Sequence, residues 1–174
     1  LIALGARDCS SDKCAAIGFG EPLKGGVLDA SRWPDGSLAM MAAAAFANAP
    51  IHIHGLATLA GKESDRINAM SEWLRAIGAV VESGADWIRI DGRSNGSTQI
   101  HRNHSSVDAN ANSQANPYEI VVNPHADHRI AMSAAVAGAL RGGVSISDPR
   151  CVEKSWPSFW NDWHRLLSGI EGSA

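Results

Sequence analysis

The sequence predicts an α/β protein built from a recurring strand–helix–strand–helix–strand–strand unit. Two observations carry that expectation. Short β-branched runs alternate with longer stretches whose apolar residues fall at helical spacing, and this order starts a second time near Glu119. With 174 residues, 45% of them hydrophobic, the chain is long enough for one core and short for two. Residues 1–174 therefore read as one incomplete domain, an internal repeat cut at both ends: about two units plus the tail of a third.

The elements follow in order. Leu1–Ala6 reads as the last turn of a helix ending at Gly5, and short strands are expected around Cys14–Phe19 and Gly26–Asp29. Pro34-Asp35-Gly36-Ser37 is expected to cap a helix over Leu38–Ala47, which is apolar all round and so should be buried. A strand over Ile51–Leu56 comes next. Then Lys62-Glu63-Ser64-Asp65-Arg66 opens a helix in which Ile67, Met70, Leu74 and Ile77 form one stripe, with Ser64 or Asp65 as N-cap and Gly78 as the glycine beyond its end. Ala79–Glu82 and Trp87–Ile90 should form a hairpin around Ser83-Gly84-Ala85-Asp86. Arg93–Pro117, rich in Asn, Ser, Gln and His, is expected to be a long solvated loop between the units. The second unit has a strand at Glu119–Val122, a helix from Asp127 to Arg141, a strand at Val144–Ser147 and a helix over Ser158–Leu167.

Arg66 is anomalous. A cation in the first turn faces the positive end of the helix dipole, normally unfavourable by a few tenths to about 1 kcal/mol. Such a start makes physical sense when an anion sits beside it, held by backbone donors and by cations. The device recurs at Asp127-His128-Arg129, again a cap followed by a basic pair and an apolar helix.

Other classes of function are disfavoured. A net charge of −3 lacks the basic excess of a nucleic-acid binder, so the six tryptophans read as core or rim packing and not as base-stacking platforms. No apolar run is long enough to span a membrane. No positively charged apolar leader opens the chain, and the three cysteines (Cys9, Cys14, Cys151) have no metal spacing, so reduced thiols and a cytoplasmic location are expected. His101-x-x-His104 and His125-x-x-His128 have a spacing that zinc could use. The first pair lacks a Cys or carboxylate partner and His128 belongs to the other motif, so no metal is expected.

The motifs themselves are specific. Lys62-Glu63-Ser64-Asp65-Arg66 resembles the K-E-S/T-D-R signature of the 3-phosphoshikimate 1-carboxyvinyltransferase (EPSP synthase) family. Asp127-His128-Arg129-Ile130-Ala131-Met132 resembles its D-H-R-I/M-A-M signature, and Pro34-Asp35 its P-D-A/G element. Asp148-Pro149 through Cys151, with Lys154-Ser155-Trp156-Pro157, is similar to its closing D-P-x-C-x-x-K-S/T-F/W/Y-P. The resemblance implies the inverse α/β barrel of enolpyruvyl transferases, made of repeated βαβαββ units, and covers only the C-terminal portion of such an enzyme. It implies transfer of the enolpyruvyl group from phosphoenolpyruvate to the 5-hydroxyl of shikimate 3-phosphate, with release of phosphate and no cofactor. The partners implied are those two substrates and the N-terminal half of the enzyme.

By the same resemblance, Asp35 and Glu63 are candidate proton carriers, each beside a cation at a helix start. Lys62 would lie near the target hydroxyl. Arg66, Arg129 and Lys154 would grip the carboxylate and phosphate of phosphoenolpyruvate. His128 would orient Arg129 or touch the reacting region, and Thr58 stands where some members have an Asn reaching the shikimate ring. The rival readings are an enolpyruvyl transferase acting on a nucleotide sugar and a non-catalytic anion-binding or assembly domain. The plain alternative for Lys62, Glu63 and Arg66 is a solvated, ion-paired helix face.

Overall fold

The computed structural model describes residues 7–8, 17–18, 22–92 and 120–171. The expected helix end at Leu1–Gly5, Cys9, Cys14, the polar stretch Arg93–Pro117 and the His101/His104 pair lie outside the described residues. Strands β1 (Arg7–Asp8) and β2 (Ile17–Gly18) form a short antiparallel pair. Then follow β3 (Gly26–Asp29), α1 (Ser37–Ala44), β4 (Ile51–His54), α2 (Arg66–Ala76), β5 (Val80–Ser83) and β6 (Trp87–Asp91). After residue 119 the order resumes with β7 (Ile120–Val122), α3 (His128–Arg141), β8 (Val144–Ile146) and α4 (Phe159–Glu171).

The first run of elements makes a four-stranded sheet in the order β3-β4-β6-β5, with β3 parallel to β4 and the other neighbours antiparallel. Strict alternation decides its two faces. Ile51 and Ile53 of β4 pair with Ile90 and Ile88 of β6, and all four are fully buried. The intervening His52 and His54 look outward, where the His52 ring stacks on Trp87 at 5.3 Å. The second run gives a parallel pair, β7 with β8.

Helices α1 and α3 pack against each other. Leu38, Met41 and Ala44 of α1 share the main core with Ile130, Ala134 and Ala137 of α3, where alanines allow close approach. The opposite face of α3, Ala131 and Ala135, forms a second cluster with Val152 and Phe159. That cluster ties α4 and the turn Pro149–Val152 to α3, and so fixes the chain just before Lys154. Among the described residues no helix is long and apolar enough to cross a membrane.

Several ends differ from the sequence expectation, each for a local reason. Strand β4 stops at His54 because Gly55 turns the chain at φ 79°, where an added Cβ would meet the Ser31 backbone nitrogen at 2.6 Å. Helix α1 ends at Ala44 as the bonds tighten, with Phe46 donating to Ala43 and Ala47 to Ala44. The first strand of the hairpin lies one residue later than expected, at Val80–Ser83, and the second starts at Trp87 as expected but runs on to Asp91. Helix α2 begins only at Arg66, which leaves Lys62–Asp65 in the loop before it. Its far end is as expected: Gly78, at φ 95°, and Ala79 donate to Arg75 and Leu74, closing the last turn.

Candidate active site

Two capped helix starts face each other. The side chain of Asp65 accepts the Asn68 backbone N–H at the start of α2, and that of Asp127 accepts the Arg129 N–H at the start of α3. The approach to α3 is strained. His125 and Ala126 both have positive φ, 52° and 57°, which costs roughly 1–3 kcal/mol per residue and persists only where the surroundings dictate it. Asn123 Oδ1 holds the His125 N–H at 2.9 Å, and the turn delivers Asp127 into the interior, fully buried.

Arg66 is the partner Asp127 meets. Its side chain is 1% exposed, and Nε lies 2.6 Å from Asp127 Oδ2 while Nη2 reaches Asp127 Oδ1 at 3.3 Å. Nη2 also donates to Glu63 Oε2 at 2.8 Å, and Nη1 to Asp35 Oδ1. Ser64 Oγ adds a fourth contact to Asp127. The anion expected beside the first-turn arginine is thus supplied by the protein itself, as three carboxylates. These contacts engage four of the guanidinium's five N–H groups and leave one on Nη1.

Asp35 corrects one expectation. It does not cap α1: the helix start carries no side-chain cap, Pro34–Gly36 forms a 3₁₀ turn, and Ser37 Oγ donates to the Pro34 carbonyl. Both Asp35 oxygens are committed instead, Oδ1 to Arg66 and Oδ2 to Arg129 Nη2 at 3.3 Å. Glu63 mirrors this, with Oε2 on Arg66 and Oε1 3.3 Å from Lys154 Nζ. Arg129 and Lys154 are 39% and 48% exposed, so the buried guanidinium organises two carboxylates and those in turn hold two accessible cations.

Of the other sequence-chosen residues, His128 lies inside the cluster and is largely buried. Lys62 and Thr58 are exposed, Thr58 on the 3₁₀ turn Ala57–Leu59, and neither side chain makes a hydrogen bond or ion pair among the described residues. The sequence marks Asp127 as a cap, and its second role, as the buried partner of Arg66, has no local signal there. Among the described residues no group of three His, Cys, Asp or Glu side chains is placed to hold a metal ion, and His125 Nε2 lies 3.8 Å from Glu72.

The electrostatics follow from these contacts. Burial raises the Asp127 carboxyl, but Arg66, the Arg129 N–H and Ser64 outweigh it and hold it below 3.8. Its own backbone N–H, then the Lys154 ammonium, keep Glu63 below 4.5, so it is a carboxylate at neutral pH. Burial depresses His128 below 6.5, with Arg129 and Lys154 adding to the effect against Asp127 and Glu63. His128 is therefore neutral at pH 7. Its Nδ1 and Arg129 Nε are buried without a partner among the described residues.

His128 should make the chain's stability depend on pH. Its folded pKa lies below the unfolded value, so the unfolded chain binds the extra proton first. Stability should fall as pH drops through 6.5 towards the folded pKa. Urea melts between pH 7.5 and 5.5 should show this decline, and His128→Gln should flatten it; an unchanged slope would assign the decline to other groups.

The fold and site together define a mixed α/β domain in which two helix N-termini are joined through one buried arginine and present further cations outward. The family model for EPSP synthase (3-phosphoshikimate 1-carboxyvinyltransferase) matches residues 8–163, and the chain belongs to that family. It is 38% identical over 164 residues to a 3-phosphoshikimate 1-carboxyvinyltransferase of Methanoculleus marisnigri, covering 92% of this chain and 33% of that one. To one of Thermus thermophilus it is 40% identical over 149 residues, 84% of this chain and 30% of the relative. A solved EPSP synthase of Acinetobacter baumannii superposes with a TM-score of 0.70 at 27% identity, covering 95% of this chain and 37% of that structure. The chain thus spans about a third of the length of the relatives it matches.

Proposed function

We propose that these residues are the C-terminal part of an EPSP synthase, about two repeat units plus the tail of a third. With the remainder of the enzyme they would transfer the enolpyruvyl group of phosphoenolpyruvate to the 5-hydroxyl of shikimate 3-phosphate and release phosphate. The observation that carries this reading is the ion-pair cluster. All three family motifs that bear cations, at Lys62–Arg66, Asp127–Arg129 and Lys154, converge on Asp35 and Glu63.

In this account Arg129 and Lys154 bind the carboxylate and phosphate of phosphoenolpyruvate, as accessible cations able to make charge-assisted bonds. Arg66 fixes the carboxylates and offers its remaining Nη1 hydrogen to the ligand. Glu63 and Asp35 carry protons between the hydroxyl and the methylene carbon. Lys62, free of partners among the described residues, lies towards the hydroxyl and lowers its pKa, and Thr58 contacts the sugar-like ring. His128, neutral and buried against the cluster, orients Arg129. The setting in this account is cytoplasmic.

Arg129→Ala tests the assignment. It should weaken phosphoenolpyruvate binding by about 1.5–3 kcal/mol, the worth of a charge-assisted hydrogen bond. Folding should change little, because its pair with Asp35 is exposed and such pairs contribute about 0–1 kcal/mol. Calorimetric titration beside a thermal melt separates the two. Normal binding with a much lower melting temperature would make Arg129 a structural residue.

A further inference from the structure

Asp35 and Glu63 each use one oxygen on the buried Arg66 and the other on an exposed cation, Arg129 or Lys154. The two kinds of contact differ in permanence. Arg66 and Asp127 are 1% and 0% exposed, and solvent cannot replace either partner. The pairs Arg129–Asp35 and Lys154–Glu63 are both 3.3 Å long, with every member between 34% and 48% exposed. Ion pairs of that kind are screened and cheap to break. The formal charges of Asp35, Glu63 and Asp127 balance those of Arg66, Arg129 and Lys154, so the cluster does not offer a net positive target to an incoming anion.

We propose that these two exposed pairs form a ligand-displaced latch, in which Asp35 and Glu63 act as stand-in anions for Arg129 and Lys154. An incoming anion takes over the two cations, and the carboxylates stay in place because Arg66 still holds their other oxygens. Displacement then frees Asp35 Oδ2 and Glu63 Oε1 beside the newly bound ligand. Those are the lone pairs that proton transfer needs, so binding and activation of the base become one event. The latch rests on the anion-binding role proposed for Arg129 and Lys154, and adds that the carboxylates compete with the ligand for them.

The test uses the 174-residue chain and inorganic phosphate as probe, at low ionic strength. Glu63→Gln removes the competitor for Lys154 while keeping the side chain's size. It should bind phosphate roughly two- to fivefold more tightly than the native chain, the factor expected from releasing one exposed ion pair. Equal or weaker binding by the folded variant overturns the latch. Binding by neither form overturns the anion site itself, and the latch with it. A second measurement needs no variant: during a phosphate titration of the native chain, NMR signals of the Lys154 ammonium and the Glu63 carboxyl should move along one isotherm. A Lys154 signal that moves while Glu63 stays still contradicts displacement.

Discussion

Arg66→Ala is expected to remove a large share of the chain's stability. The substitution strands Asp127, fully buried, without the guanidinium that lies 2.6 Å from it. Removing one partner of a buried pair costs about 3–5 kcal/mol, because an uncompensated charge remains in the interior. A domain has only about 5–15 kcal/mol in total. Asp35 and Glu63 would also lose the anchor that sets their position. Arg66→Lys should recover only part of the loss, since an ammonium cannot reproduce the side-on contact of Nε and Nη2 with both Asp127 oxygens. Acid should act on the same pair. The folded carboxyl is held below 3.8, so its contribution is fully present above that pH and is lost as pH falls through the folded value. Urea denaturation of the three proteins at pH 7 and pH 3 provides the comparison. A loss under about 1 kcal/mol for Arg66→Ala would contradict the account of a dry, essential pair.

Much of this fold can be read locally, because its elements carry their own signals. The stripe Ile67, Met70, Leu74 leads to a helix with Asp65 at one end and Gly78 at the other, as found. Alternation in Ile51–His54 and Trp87–Asp91 sorts the sheet into a core face and a polar face. What local signals miss is where an element stops when tertiary space decides it. Gly55 ends β4 because the Ser31 backbone crowds that point, and Ser31 lies in a different turn.

The site is legible in kind but not in wiring. The cation in the first turn of α2 shows that an anion must be near. It cannot show that the anion is Asp127, 61 residues further along, because long-range pairing leaves no mark on spacing. Asp35 illustrates the opposite error. Pro-Asp-Gly-Ser is a good cap by composition, yet here the carboxylate turns away from the helix towards two arginines. A cap contributes about 1 kcal/mol, and a charge-assisted contact to a buried cation outweighs it.

The second large effect concerns turnover. On the proposed reading this chain forms one wall of a cleft, and joining two anionic substrates requires both walls to hold them in contact and exclude water. Arg129 and Lys154 belong to this wall, so weak binding of phosphoenolpyruvate should survive in the chain alone. The proton steps should not, because shikimate 3-phosphate has too few contacts here to be positioned. Phosphate release from phosphoenolpyruvate and shikimate 3-phosphate is therefore the decisive measurement, made on the chain alone and on the chain mixed with a polypeptide supplying the rest of the enzyme. The account predicts no release above background from the chain alone, and measurable release from the mixture that disappears with Arg129→Ala. Steady release by the 174-residue chain on its own would contradict it, and would mean that the chain builds a whole cleft by itself.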